Sequence, residues 1–431
     1  MKDKFRSFIK SDLVRNSSIL VSGGMIGQVI AFLATMVLTR IYTDEDFGSF
    51  ALFMSVASIL GHFGTGKYEE AIVLSKTKRE AHALVGFINT WLPIFSLFLF
   101  VVLFFFRKPI FSLLHIEAIH DFWFLLPVMA FVVSLSNILT GLANREKRFK
   151  AIAGASVTQN TASSLSKIAI SPVFPNAWGL LSGQILSYVL SCLAFFRLRK
   201  DVFLSFKQKW ANKKKAAIEY KDFPKFNLPR NVLNSISFNL PFLMLTSLFG
   251  EAQLGLFFLA FNTSFRPINL VVNSIYLVLY ERSAQLKNKG EKISPLLNVY
   301  VKNNLLYILP CFVLLFIFSP QIFSIMFSEE WKASGIYLRY LLPWLYMILF
   351  TAPLGFIPLL MKKQKAYMWF EILYFIFRVL GIYIGILQKN FHLAIILFAA
   401  VGFTFMTIQY IWYRWTIKRY EKSIKIEPVK E

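Results

Sequence analysis

The sequence predicts an all-α polytopic membrane protein, with about twelve transmembrane helices arranged as two six-helix bundles. Three observations carry that reading. Of the 431 residues, 56% are hydrophobic and only 16% charged, where soluble domains carry roughly 25% charged residues. Apolar runs long enough to cross a bilayer, about 20 residues each, recur along the whole chain. Basic residues gather in every second connection between those runs, as expected where cytoplasmic loops hold Lys and Arg.

The first apolar run, 17–41, follows Lys2, Lys4, Arg6, Lys10 and Arg15. It is longer than a signal-peptide core and lacks an Ala-x-Ala cleavage site, so it reads as a retained helix. The next spans are 47–66, 82–106, 121–142, 151–171 and 177–197. The second half supplies 227–249, 254–280, 298–319, 333–361, 366–387 and 391–415. Spans 151–171 and 227–249 are rich in Ser, Thr and Asn. Polar groups inside a membrane face other helices or water, so these two helices are expected to line an interior. Pro343, Pro353 and Pro358 predict a kink or break within 333–361.

With the N-terminus inside, most of the 47 basic residues fall on the cytoplasmic side. They cluster at 67–79, 145–150, 197–230, 282–302, 362–365 and 414–430. The opposite loops hold only Arg40, Arg107, Lys108, Lys332 and Lys389, together with the acidic turns Asp44-Glu45-Asp46 and Glu329-Glu330. The net charge of +24 is therefore a topology signal with both termini cytoplasmic, and no nucleic acid is implied. The longest non-membrane stretch divides the chain into an N-terminal lobe 1–197, a basic connector 198–226, a C-terminal lobe 227–416 and a tail 417–431. Asp46-Phe47-Gly48-Ser49-Phe50 and Gln253-Leu254-Gly255-Leu256-Phe257 form a short internal repeat. Such repeats are common in transporters, which handle substrate where the repeats meet.

Cys192 and Cys311 both lie in apolar runs and read as packing residues. Gly61-His62-Phe63-Gly64-Thr65-Gly66 lacks the Lys-Ser/Thr ending of a phosphate loop. The five His are scattered. No cofactor, metal or catalytic group is expected, and no large outside loop is present to house an enzyme site.

Lys167, Arg266, Arg339 and Arg378 fall within predicted spans, and Arg40 ends the first. A charge at the bilayer centre costs about 2.5–3.5 kcal/mol on insertion scales. The bland readings are ion pairs with Glu371 for Arg266 and Arg378, and interfacial anchoring for Arg40 and Arg339. The functional reading is a cationic interior for an anionic substrate, because the planar guanidinium binds phosphate oxygens in pairs. Helix seven adds Asn227, Arg230, Asn231 and Asn234 on one face. Their amides suit either sugar hydroxyls or helix-to-helix bonds. The candidate substrate-binding set is Arg266, Arg378, Lys167, Arg40, Arg230, Asn231 and Asn234.

Several segments resemble Wzx-type polysaccharide flippases of the multidrug/oligosaccharidyl-lipid/polysaccharide exporter superfamily. They are Thr39-Arg40-Ile41-Tyr42 with Asp46-Phe47-Gly48, Tyr68-Glu69-Glu70-Ala71-Ile72-Val73-Leu74 and Asn144-Arg145-Glu146-Lys147-Arg148-Phe149-Lys150. Phe223-Pro224-Lys225-Phe226-Asn227-Leu228-Pro229 and Phe265-Arg266-Pro267-Ile268-Asn269-Leu270 complete the set. The likeness covers helices one to eight and fades after about residue 300. It implies two bundles related by a pseudo-twofold axis, a V-shaped central cationic cavity and alternating access. The implied substrate is an undecaprenyl-pyrophosphate-linked oligosaccharide repeat unit, as in O-antigen or lipopolysaccharide synthesis, moved across the bacterial inner membrane. H+ or Na+ as coupling ion and a polysaccharide polymerase as neighbour are further expectations. A lipid II flippase, a multidrug or cation antiporter and a membrane polysaccharide polymerase are the rival readings. The antiporter would want acidic residues in its interior, and the polymerase a large outside loop.

Overall fold

The computed structural model describes residues 12–197 and 208–424, without the side chains of 12–23, 196, 197 and 247. The N-terminal Lys2, Lys4, Arg6 and Lys10, the Arg15 side chain, residues 198–207 of the connector and residues 425–431 of the tail lie outside the described residues. Helix is the only regular secondary structure among those described. Among the described residues, nine helices are long and apolar enough to cross a membrane, and Gly24–Leu38 adds a shorter apolar segment. The protein is thus an all-α, multi-pass membrane protein, in agreement with the composition.

The chain forms two compact units, Met1–Gly255 and Leu256–Glu431. The first contains α1 (Asp12–Leu38), α2 (Asp44–Thr65), α3 (Tyr68–Leu74), α4 (Lys78–Leu114), α5 (Leu125–Arg145), α6 (Phe149–Ile170), α7 (Ala177–Arg197) and α8 (Trp210–Glu219). The long α9 (Leu228–Asn288) begins in it. Helix α6 spans 22 residues, about 33 Å at 1.5 Å per residue, enough to cross. It is less apolar than the nine. It and the opening arm of α9 are the two segments the sequence marks as polar. Helix α6 packs between α1 and α7, which shields its hydroxyls and amides from lipid.

Local chemistry explains the turn after α1. Thr43 and Asp46 form a reciprocal capping box that satisfies the free N–H groups opening α2. The other Asp46 oxygen accepts from the backbone N–H of Ala177 at 2.8 Å, tying the start of α7 to α2. Tyr42 donates its hydroxyl to the carbonyl of Lys167 at 2.7 Å. A side chain on Gly48 would collide with the Glu251 carbonyl, and one on Gly255 with the Asp44 carbonyl. The two halves of the sequence repeat therefore meet each other, backbone against backbone. The contact is reciprocal, 44 with 255 and 48 with 251, as a local two-fold relation requires.

Helix α9 is broken at Gly250, whose φ of 81° and ψ of 172° are accessible essentially to glycine alone. The connector residues that are described form a docked helix. Lys213 of α8 is buried and donates to Thr90 at 3.4 Å. Tyr68 donates to the carbonyl of Ala217 at 3.0 Å, and burial raises its pKa. Tyr220 donates to Glu80 at 3.2 Å and is raised for the same reason.

The second unit continues α9 and adds α10 (Ser294–Asn303), α11 (Leu309–Phe327), α12 (Lys332–Thr351), α13 (Ile357–Leu360), α14 (Gln364–Leu387) and α15 (Phe391–Ile424). The predicted break in 333–361 is present. Pro343 lies inside α12, Pro353 in the 3-10 turn Ala352–Leu354, and Pro358 in the single turn α13. Aromatic and aliphatic side chains of α12 and α15, including Trp344, Leu345 and Phe398, form the buried centre.

Candidate functional site

In the first unit the site is built around Lys167. It lies on α6 and is buried at 8% exposure. Its ammonium donates to Oε1 of Gln184 on α7 at 2.7 Å and stands 4.5 Å from the ring centroid of Phe50 on α2. Ser163 donates to the same Gln184 oxygen at 3.0 Å. Gly183 permits this closeness, because an added Cβ would lie 2.8 Å from the Lys167 backbone nitrogen. Gln184 and Phe50 are both neutral groups. An ammonium over a ring face gains about 0.5–2 kcal/mol depending on desolvation.

The opening arm of α9 makes a second polar surface in this unit. Asn227 donates to Glu70 at 2.9 Å, and Asn231 donates to the carbonyl of Asn227 at 2.8 Å and to Glu70 at 3.5 Å. Lys67, in the left-handed region at φ 62°, pairs with Glu69 at 3.2 Å and Glu70 at 3.7 Å. Asn227 and Asn231 thus link the arm to α3, the helix-to-helix alternative the sequence left open. Arg230 and Asn234 are exposed on the same arm. Glu70 was not among the predicted site residues, although the run Tyr68-Glu69-Glu70 drew attention as a motif. Its two Asn partners are some 160 residues away, a relation that no local spacing encodes. Arg40 is exposed and donates to the carbonyl of Met36 at 2.9 Å, one turn earlier.

The second unit holds the more unusual cation. Arg378 on α14 is buried at 6% exposure. Its guanidinium carbon lies 4.4 Å from the ring centroid of Tyr374, 4.6 Å from Phe398 and 4.8 Å from Trp344. Its Nε has no hydrogen-bond partner. Among the described residues, none of the ion pairs includes Arg378, so the pairing with Glu371 is not formed. Tyr374 sits one turn before Arg378, a spacing visible in the sequence. Trp344 and Phe398 come from α12 and α15 and were not predicted. Gly402 makes room for Trp344, since a Cβ there would lie 2.5 Å from its ring.

Arg266 is exposed on the arm of α9 that follows Gly250. Arg339 is anchored, donating to the carbonyls of Phe316 at 2.8 Å and Ile317 at 2.9 Å on α11. The structure therefore divides the predicted residues. Lys167 and Arg378 are enclosed, each within its own unit. Arg40, Arg230, Asn234 and Arg266 are exposed, and Asn231 is tied to Glu70.

The fold is similar to that of an inward-facing multidrug resistance MATE family transporter of the MOP superfamily. The TM-score is 0.71 at 15% identity, covering 94% of this chain and 99% of that chain. It is likewise similar to the lipid II flippase MurJ in an inward closed conformation. There the TM-score is 0.73 at 13% identity, covering 96% of this chain and 91% of that chain. An outward-facing MATE transporter matches with a TM-score of 0.58 at 17% identity, covering 94% of this chain and 96% of that chain. At such identities the fold alone is shared. No curated protein sequence matches the chain significantly. Residues 37–335 match the family described as polysaccharide biosynthesis protein, and the chain belongs to that family.

Proposed function

We propose that the protein is a flippase rather than an enzyme. It carries undecaprenyl-pyrophosphate-linked oligosaccharide repeat units from the cytoplasmic to the periplasmic leaflet of the bacterial inner membrane by alternating access. Both termini would be cytoplasmic, and the lobes 1–197 and 227–416 would be the moving parts. The observation that carries the reading is Arg378, a buried cation enclosed by three rings and in salt-bridge contact with no described carboxylate. Aromatic faces stabilise the guanidinium without cancelling its net charge. Its field therefore extends through the low-dielectric interior, where an anion gains most from it. Lys167 adds a second buried cation, one that donates to a neutral amide.

The sugar-pyrophosphate head cannot enter hydrocarbon without replacing its hydration. A hydrated passage with fixed positive charge supplies that replacement, while the polyprenyl tail stays in lipid. Arg266 is the proposed contact residue, since an exposed mid-span charge faces water far more readily than lipid. Arg40, Arg230, Asn231 and Asn234 are proposed lining groups. An inside-negative potential would assist an anionic head moving outward, by about 2.3 kcal/mol per charge per 100 mV. H+ or Na+ moving with the head would reduce that help. A polysaccharide polymerase is a proposed neighbour in the pathway.

The test is export of surface polymer by cells carrying Arg266→Ala at normal membrane levels. Loss of export is expected, and wild-type export would overturn the contact role. Deleting the chain should stop a surface polymer and leave peptidoglycan synthesis intact; the reverse would point to lipid II as cargo.

A further inference from the structure

The second unit carries a groove that the transport reading does not use. It lies where α10 meets α11, is lined by Asn298, Val301, Lys302, Leu305 and Leu306, and has a volume of about 530 Å³ open to the surface. That is within the ~300–1,000 Å³ typical of small-molecule sites. Its floor is fixed. Helix α10 is clamped at its start by Glu421 of α15, which accepts from the Ser294 N–H and hydroxyl at 2.7 Å each. Leu297 and Tyr300 pack into a cluster with Tyr413 and Ile417 of α15, and Val301 packs against it.

Two features distinguish this groove from an ordinary lipid-facing helix surface. Residues Asn304–Ile308 form a π-helical turn between α10 and α11. Such insertions re-aim side chains and are frequent at functional sites. Here the turn carries Leu305 and Leu306, 47% and 55% exposed, into the lining. The rim, in contrast, is cationic. Lys302 is exposed at the groove, and Asn298 accepts from Nη2 of Arg414 at 2.7 Å, holding that guanidinium beside it. The Glu421 carboxylate is occupied by Ser294. Apolar walls below a Lys–Arg pair fit a molecule with an acyl chain and an anionic phosphate head. Basic pockets between helices at a membrane boundary recognise lipid headgroups in this way.

We infer that this groove is a binding site for an anionic glycerophospholipid of the surrounding bilayer. The phosphate lies against Lys302 and Arg414, and an acyl chain lies along Val301, Leu305 and Leu306.

The full chain, purified in detergent, should retain phosphatidylglycerol over phosphatidylcholine of the same acyl chains by at least about fivefold, read by native mass spectrometry. Lys302→Gln with Arg414→Gln should reduce that preference below about twofold. Lys302→Gln alone, at an exposed position that folding tolerates, should lower it by about half. Leu306→Trp, filling the groove, should lower retention of both lipids, while millimolar inorganic phosphate should displace neither. Equal retention of the two lipids by the wild type would overturn the inference. So would an unchanged preference in all three variants, displacement by phosphate alone, or retention of a polyprenyl phosphate in preference to phosphatidylglycerol.

Discussion

Lys167 and Arg378 are two buried cations in helices of one chain, and their surroundings have little in common. Lys167 sits on a polar helix and donates a hydrogen bond to an amide oxygen that a serine shares. Arg378 sits on an apolar helix inside three aromatic rings, with Nε unbonded. The first is solvated by the protein; the second is tolerated by it. A hydrogen-bonded ammonium stabilises its surroundings, so a structural role accounts for it. A guanidinium kept in a ring cage, with the Glu371 carboxylate acting on it only from beyond salt-bridge distance, bears a desolvation cost that packing alone does not require, which points to its field as the reason it is there.

Arg378→Met separates these roles most sharply. Methionine fills the space and removes the buried charge, so thermal stability should hold or rise. Export should nevertheless fall by tenfold or more, since a unit charge about 8 Å away at an effective dielectric of 20 contributes about 2 kcal/mol. Normal export by this variant would remove the distinction between the two cations.

The supporting glycines come next. Gly402→Ala should push Trp344 out of the cage, and Gly183→Ala should push against the Lys167 backbone. Each should cost about 1–3 kcal/mol by overpacking, read as a lowered unfolding midpoint in detergent. Gly402→Ala should also impair export by more than its loss of stability predicts, whereas Gly183→Ala should not.

Lys167→Met should cost about 1 kcal/mol, the worth of one buried hydrogen bond, with export reduced only a few-fold. The smallest effect belongs to Gln184→Glu, which gives the ammonium a carboxylate. Stability should change by less than about 1 kcal/mol, and export should fall about as far as in Lys167→Met. A larger loss than Arg378→Met would place the functional cation in the first unit instead.

Much of the fold is legible in the sequence because lipid imposes it. Hydrocarbon tolerates only backbone that satisfies its own hydrogen bonds, so each apolar run of sufficient length becomes a helix. The polar character of α6 and of the opening arm of α9 is equally visible, and both are packed or bonded as such residues must be. The repeat around Gly48 and Gly255 is faint as a string of letters. Its meaning is plain once each glycine is seen against the other's preceding turn. The Asp46 carboxylate could be recognised locally as a cap, but its bond to Ala177 joins residues 131 apart.

By itself the sequence determined the membrane class, the helical spans, the break at the prolines and the presence of cations where hydrocarbon disfavours them. These follow from composition and from spacing along one chain direction. Only the tertiary structure decided what surrounds each cation: an amide for Lys167, three rings for Arg378, carbonyls of the adjoining helix for Arg339. The physical reason is that desolvation depends on which distant helices close over a side chain, and that choice is made by packing rather than by neighbours in sequence.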